Sequence, residues 1–93
     1  MLLEDETRPA LGRGVRLNTD AATGEPILLF PEGVVHLSQT AHDILSRCDG
    51  RATITDIVSA LAEEYDVERS TLSQDVLDCL QDLLQRRLIV CLP

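Results

Sequence analysis

Few side chains in this 93-residue chain could carry chemistry. Cys48, Cys79 and Cys91 are odd in number and widely spaced, with no C-x-x-C pair, so neither a disulfide framework nor a zinc knuckle is suggested. Such thiols are expected to stay reduced and to pack as small hydrophobes. His36 and His42 have no acidic or cysteine neighbours at metal-ligand spacing, and are expected to be partly exposed structural residues. A G-x-S-x-G elbow, a P-loop and a dinucleotide glycine fingerprint are all missing from the sequence. The expectation is therefore no catalytic residue, no metal and no cofactor.

The carboxylates are more suggestive. Asp75, Asp78 and Asp82 fall at i, i+3 and i+7, which lays an acidic stripe along one side of a helix. That stripe is either a solvated face or a binding edge for a basic or amide-rich partner. Glu63 and Glu64 lie on a different helix, and no carboxylate pair is placed to act as acid and base. The net charge is -8, all eight basic groups are arginine, and such a balance repels nucleic acid and anionic membranes. Met1-Leu2-Leu3 runs into Glu4-Asp5-Glu6, unlike a secretory signal, and no stretch has the roughly 20 apolar residues of a membrane span. A cytoplasmic protein is expected.

The elements that must position these groups follow from length and pattern. Ninety-three residues suit one domain, and with Phe30 and Tyr65 as the only aromatics the core must be aliphatic. Residues 1–14 mix charge with proline and glycine and predict a flexible N-terminal arm, leaving 15–93 as the domain. Strands are predicted at 15–18, 27–30 and 34–37, the last two joined by Pro31-Glu32-Gly33. Taken as a three-residue hairpin loop, this pairs Phe30 with Val34 and Leu29 with Val35. Ile27, Leu29, Val35 and Leu37 then make the core face, and Val35 turns its N–H outward.

Ser38 is placed to cap a helix over 39–48 that ends at Asp49-Gly50. Thr53-x-x-Asp56 resembles a capping box for a helix over 54–64, and Thr71-x-x-Gln74 another for one over 71–87. Residues 88–92 read either as a buried continuation of that helix or as a short terminal strand. The architecture is thus α+β, an N-terminal three-stranded antiparallel sheet followed by three helices. A meander leaves 34–37 at an edge, with no lysine, proline or bulge to blunt it. Such an edge is either covered by the chain itself or used to recruit an extended peptide, and it also permits strand exchange in a homodimer.

Arg8-Pro9, Gly14-Val15-Arg16-Leu17, Pro31-Glu32-Gly33, Ser38-x-x-Ala41, Ile44-Leu45, Cys48-Asp49-Gly50, Ile57-Val58 and Asp75-Val76 occur in an order and spacing that resemble the PqqD family over almost the whole chain. The resemblance implies a small winged-helix-like domain that recognises ribosomally made peptides in pyrroloquinoline quinone biosynthesis. It implies that the leader of a PqqA-like precursor peptide adds as a strand along Val34, Val35, His36 and Leu37. The leader's side chains would then meet Asp75, Val76, Cys79, Asp82 and Leu83 on the last helix. It further implies a complex with a PqqE-like radical S-adenosylmethionine enzyme, which crosslinks the precursor and owns the iron-sulfur clusters.

Two other functions fit the size of the chain. A winged-helix regulator of nucleic acid would use the last helix for recognition, but that helix presents Asp75, Asp78 and Asp82 where Arg, Lys, Asn or Gln are needed. An acyl or peptidyl carrier needs an Asp-Ser-Leu type serine, and Ser38, Ser46, Ser59, Ser70 and Ser73 all lack that setting.

Overall fold

A computed structural model describes residues 3–92. The chain runs β1 (Arg8–Leu11), β2 (Arg16–Thr19), β3 (Pro26–Phe30), β4 (Gly33–His36), α1 (Gln39–Leu45), α2 (Ile54–Tyr65), α3 (Arg69–Gln85) and β5 (Ile89–Leu92). It is an α+β fold with two antiparallel sheets, a three-stranded one ordered β2-β3-β4 and a two-stranded one made of β1 and β5.

The hairpin between β3 and β4 is tighter than its composition suggested. Phe30 pairs with Gly33, Leu29 with Val34, Leu28 with Val35 and Ile27 with His36, so the loop is Pro31-Glu32 alone. Proline lacks the N–H that a ladder position would require, so it belongs at the corner, and Gly33 joins the strand. The one-residue shift changes the core face. Leu17, Leu28 and Val35 form a row across the sheet that packs into the core, with Leu28 fully buried. Leu29, expected in the core, is only half-buried and pairs with the exposed Val34.

The shift also reverses the backbone at the edge. Leu37 donates its N–H to the Pro26 carbonyl at 3.0 Å. Hydrogen-bonded and open pairs alternate along an antiparallel ladder, so Val35 bonds inward to Leu28, and it is Val34 and His36 whose backbone groups face away from β3. The expectation that Val35 offers the outward donor is corrected accordingly.

The helices follow their caps. Ser38 accepts from the Ala41 N–H at 3.1 Å, and Thr53 with Asp56 forms the reciprocal capping box. α3 begins two residues before the expected Thr71. Its N-cap is Glu68, without a side-chain cap bond, because the left-handed Asp66 ends α2 and turns the chain early. The apolar stripes of all three helices converge, with Ile44, Leu45, Ile57, Leu61, Val76 and Leu80 almost wholly buried. This aliphatic cluster is closed at one side by the row from the sheet.

Residues 1–14, expected as an arm, contain β1, whose four residues pair with β5 from Arg8↔Leu92 to Leu11↔Ile89. Pro9 is fully buried, Gly50 donates to its carbonyl at 3.0 Å, and Ile54 donates to the Thr7 carbonyl at 3.0 Å. The chain then passes Leu88 so closely at Gly12 that a Cβ there would lie 3.1 Å from the Leu88 carbonyl oxygen. Of the two readings for 88–92, the terminal strand is the one adopted.

Candidate functional site

β4 is an outer strand of its sheet, with β3 on one side and, among the described residues, no strand on the other. Beside that open edge runs a groove of about 200 Å³, walled on one side by Val35, His36 and Leu37 and on the other by Cys79, Asp82 and Leu83, with Ser38, Ala41 and Arg86 completing it. α3 forms the second wall because its buried stripe, Leu72, Val76, Leu80 and Leu83, packs on the core. The turns between those residues leave Cys79 and Asp82 beside the strand.

Six of the nine residues expected at a peptide site, Val35, His36, Leu37, Cys79, Asp82 and Leu83, therefore meet at one groove. Val34 lies beyond it, 46% exposed, with its backbone on the open edge. Asp75 is exposed further toward the start of α3. Val76 is 0% exposed and belongs to the core, so it offers no surface to a ligand, and its expected place in the wall is withdrawn. Sequence reasoning missed Ser38, Ala41 and Arg86. Ser38 and Ala41 were read as helix-start and family-motif positions rather than as groove residues, yet Arg86 was findable, since it follows Cys79 and Asp82 at helical spacing.

The helix side of the groove carries one acid, Asp82, and one base, Arg86. Asp82 forms an ion pair with Arg86 at 3.4 Å, and both side chains are more than half exposed, so water screens the pair. Burial, and then the nearby Asp82, push the Cys79 thiol above its ordinary range. It stays protonated at neutral pH and presents a soft apolar surface rather than a nucleophile. Cys48 is pushed up to about 12 by burial in the core. Among the described residues no cluster of three or more His, Cys, Asp or Glu could hold a metal ion, and no helix is long and apolar enough to cross a membrane. What the arrangement offers is a row of free backbone donors and acceptors with side-chain slots alongside, the layout of a strand acceptor.

Edge and groove together define a small α+β protein whose three-stranded sheet ends in an outer strand beside a groove. The model of the family described as Coenzyme PQQ synthesis protein D (PqqD) matches residues 25–89, and this chain belongs to that family. The PqqA binding protein of Xanthomonas axonopodis pv. citri is 38% identical over 84 residues, covering 90% of this chain and 91% of that protein. A PqqA binding protein of Xanthomonas campestris pv. campestris (strain B100) is 40% identical over 81 residues, covering 87% and 88%.

Among solved structures, the chain is similar to the PqqD truncation of Methylobacterium extorquens PqqCD. That solution structure represents a functional and stand-alone recognition element for ribosomally synthesized and post-translationally modified peptides. The TM-score is 0.82 at 32% identity, over 96% of this chain and 95% of that one. The crystal structure of PqqD from Xanthomonas campestris matches with a TM-score of 0.59 at 37% identity, over 94% and 97%.

Proposed function

We propose that this chain is a non-catalytic cytoplasmic adaptor of pyrroloquinoline quinone biosynthesis. It captures the leader of a PqqA-type precursor peptide as an added strand on β4, and presents it to a radical S-adenosylmethionine enzyme. The observation that carries the reading is the unblunted β4 edge lying directly against the groove of α3. An extended peptide placed there gains main-chain hydrogen bonds from Val34 and His36, while alternate side chains enter the groove. The relatives named as PqqA binding proteins, identical at about two residues in five, support the choice of peptide. Nothing in the site could perform the crosslinking chemistry, which this reading assigns to the partner enzyme.

Titrating the isotope-labelled protein with the precursor peptide tests the proposal. Amide shifts should concentrate on residues 34–37 and on α3 from Cys79 onward. Mass spectrometry should show the peptide unchanged by this chain alone and modified faster when the chain is added to the enzyme. Shifts confined to the β1–β5 sheet, or a peptide modified without the enzyme, would overturn it.

A further inference from the structure

At the turn end of β4, where Pro31 and Glu32 connect it to β3, lies a second cavity of about 410 Å³. Its lining includes Arg13, Arg86 and Arg87 together with Phe30, Pro31 and Glu32. Three of the chain's eight basic groups thus gather around one hollow in a protein whose net charge is -8. The nearest acidic counterweight in the lining is Glu32 alone, so the hollow is locally cationic against an anionic background. Among the described residues neither Arg13 nor Arg87 forms an ion pair, and Arg86 has only its screened contact with Asp82.

Two further observations link the hollow to the groove. Arg86 lines both, so the two hollows adjoin at the end of α3. Arg87, one residue on, has a φ of 62°, at the position after the helix cap where glycine is the ordinary choice. Its N–H bonds to the Leu84 carbonyl and that of Leu88 to the Leu83 carbonyl, which completes the helix-ending pair of bonds. The backbone there would be more comfortable with glycine, so the arginine at 87 stands against the local conformational preference.

We infer that the cavity of Arg13, Arg86 and Arg87 takes an acidic side chain of the peptide lying in the β4–α3 groove, and thereby fixes the direction and register of that peptide. This rests on the peptide-binding reading above. Guanidinium forks match a carboxylate in two parallel hydrogen bonds, and three of them around one hollow offset the screening that weakens a single exposed pair. Main-chain pairing by itself tolerates a slip along the strand or a reversal, so a charged anchor at one end is what makes a single alignment preferred. Antiparallel addition to β4 carries the C-terminal side of the peptide toward Gly33 and this hollow, and parallel addition carries its N-terminal side there. The position of the anchoring acid therefore reports the direction.

The test is a set of calorimetric double-mutant cycles with a synthetic PqqA-type precursor peptide, each acidic residue replaced in turn by its amide. These are titrated into the unaltered protein and into Arg13→Gln, Arg86→Gln and Arg87→Gln. One amide substitution should weaken binding by about three- to tenfold in the unaltered protein and by much less in Arg87→Gln. Arg87→Gly should show the same lost discrimination while unfolding at equal or higher urea, which a purely structural role for the arginine would not produce. If the peptide binds but every acidic residue is equally dispensable in all four proteins, the anchor is refuted and the groove reading stands. If the peptide does not bind at all, both fall.

Discussion

Replacing Val34 with proline should weaken capture of the precursor peptide while leaving the protein folded. Val34 sits at an open pair of the ladder, its N–H faces away from β3, and its side chain is 46% exposed. Proline there removes no bond to β3 and little core packing, although its ring tightens φ. A peptide hydrogen bond lost at that position is worth about 0.5 to 1.5 kcal/mol, which is about two- to tenfold in Kd. The ring's intrusion into the space of an adjacent strand adds to this, so a loss of about tenfold or more is expected. His36→Pro should behave alike, whereas Val35→Pro breaks the inward bond to Leu28 and should destabilise the sheet itself. The assay is calorimetry with the precursor peptide on samples whose folding is checked by circular dichroism, with Val34→Ala as the control that trims the side chain but keeps the donor. If Val34→Pro and His36→Pro bind as tightly as Val34→Ala, peptide addition at β4 is wrong.

The thiols should report the same geometry. Native protein at pH 8 should react only slowly with Ellman's reagent at Cys91 and Cys79, whose thiols burial pushes up, while Cys48 waits for denaturant, and saturating peptide should slow Cys79 further but not Cys91; unchanged Cys79 labelling would count against the groove. Tyr65 donates a hydrogen bond to Asp43, which holds the Asp43 carboxyl below its usual range and pushes the Tyr65 hydroxyl up. Tyr65→Phe should therefore cost at most about 1 kcal/mol at neutral pH. Because the folded Asp43 value is depressed, that difference is whole above the unfolded value near 4 and fades as pH falls through the folded one. Because the folded Tyr65 value is raised, it also fades as pH rises through that value; a difference constant from pH 2 to 7 in urea titrations would exclude the linkage. Deleting residues 1–11 should lower unfolding stability by about 3 kcal/mol, since it strips the ladder to β5 and the burial of Pro9; an unchanged urea midpoint would return this segment to the status of a loose arm.

What the sequence made legible was what is decided locally. Ser38 and Thr53 announce helix starts because a side-chain oxygen three residues ahead of an N–H is a local fact. The three strands of the meander and the edge at β4 follow likewise from short turns. The pairing of β1 with β5 was not legible, because Arg8-Pro9-Ala10-Leu11 is short, holds a proline, and acquires a partner about 80 residues away. The hairpin register was misjudged through Gly33, which looks like a loop residue and serves as a strand residue. That single position decides whether Val35 faces inward or outward by its backbone, and hence where a proline probe should be placed. Val76 failed for the opposite reason: its place in the wall came from the family resemblance through Asp75-Val76, whereas its helical spacing with Leu72, Leu80 and Leu83 puts it in the core, where it is 0% exposed.

The union of β1 with β5 has a topological consequence for tethering. Arg8 stands opposite Leu92, next to the α1–α2 connection, where a Cβ on Gly50 would come within 3.1 Å of the Leu92 side chain. The ribbon's other end, at Leu11 and Ile89, leads to Gly12 and Leu88 and so to the hollow of arginines. The start of β1 and the end of β5 thus share one pole, and the hollow of Arg13, Arg86 and Arg87 lies toward the other. A domain fused before Arg8 or after Leu92 would swing from nearly the same pivot, so linker length, rather than the choice of terminus, would set its effective concentration at the peptide groove.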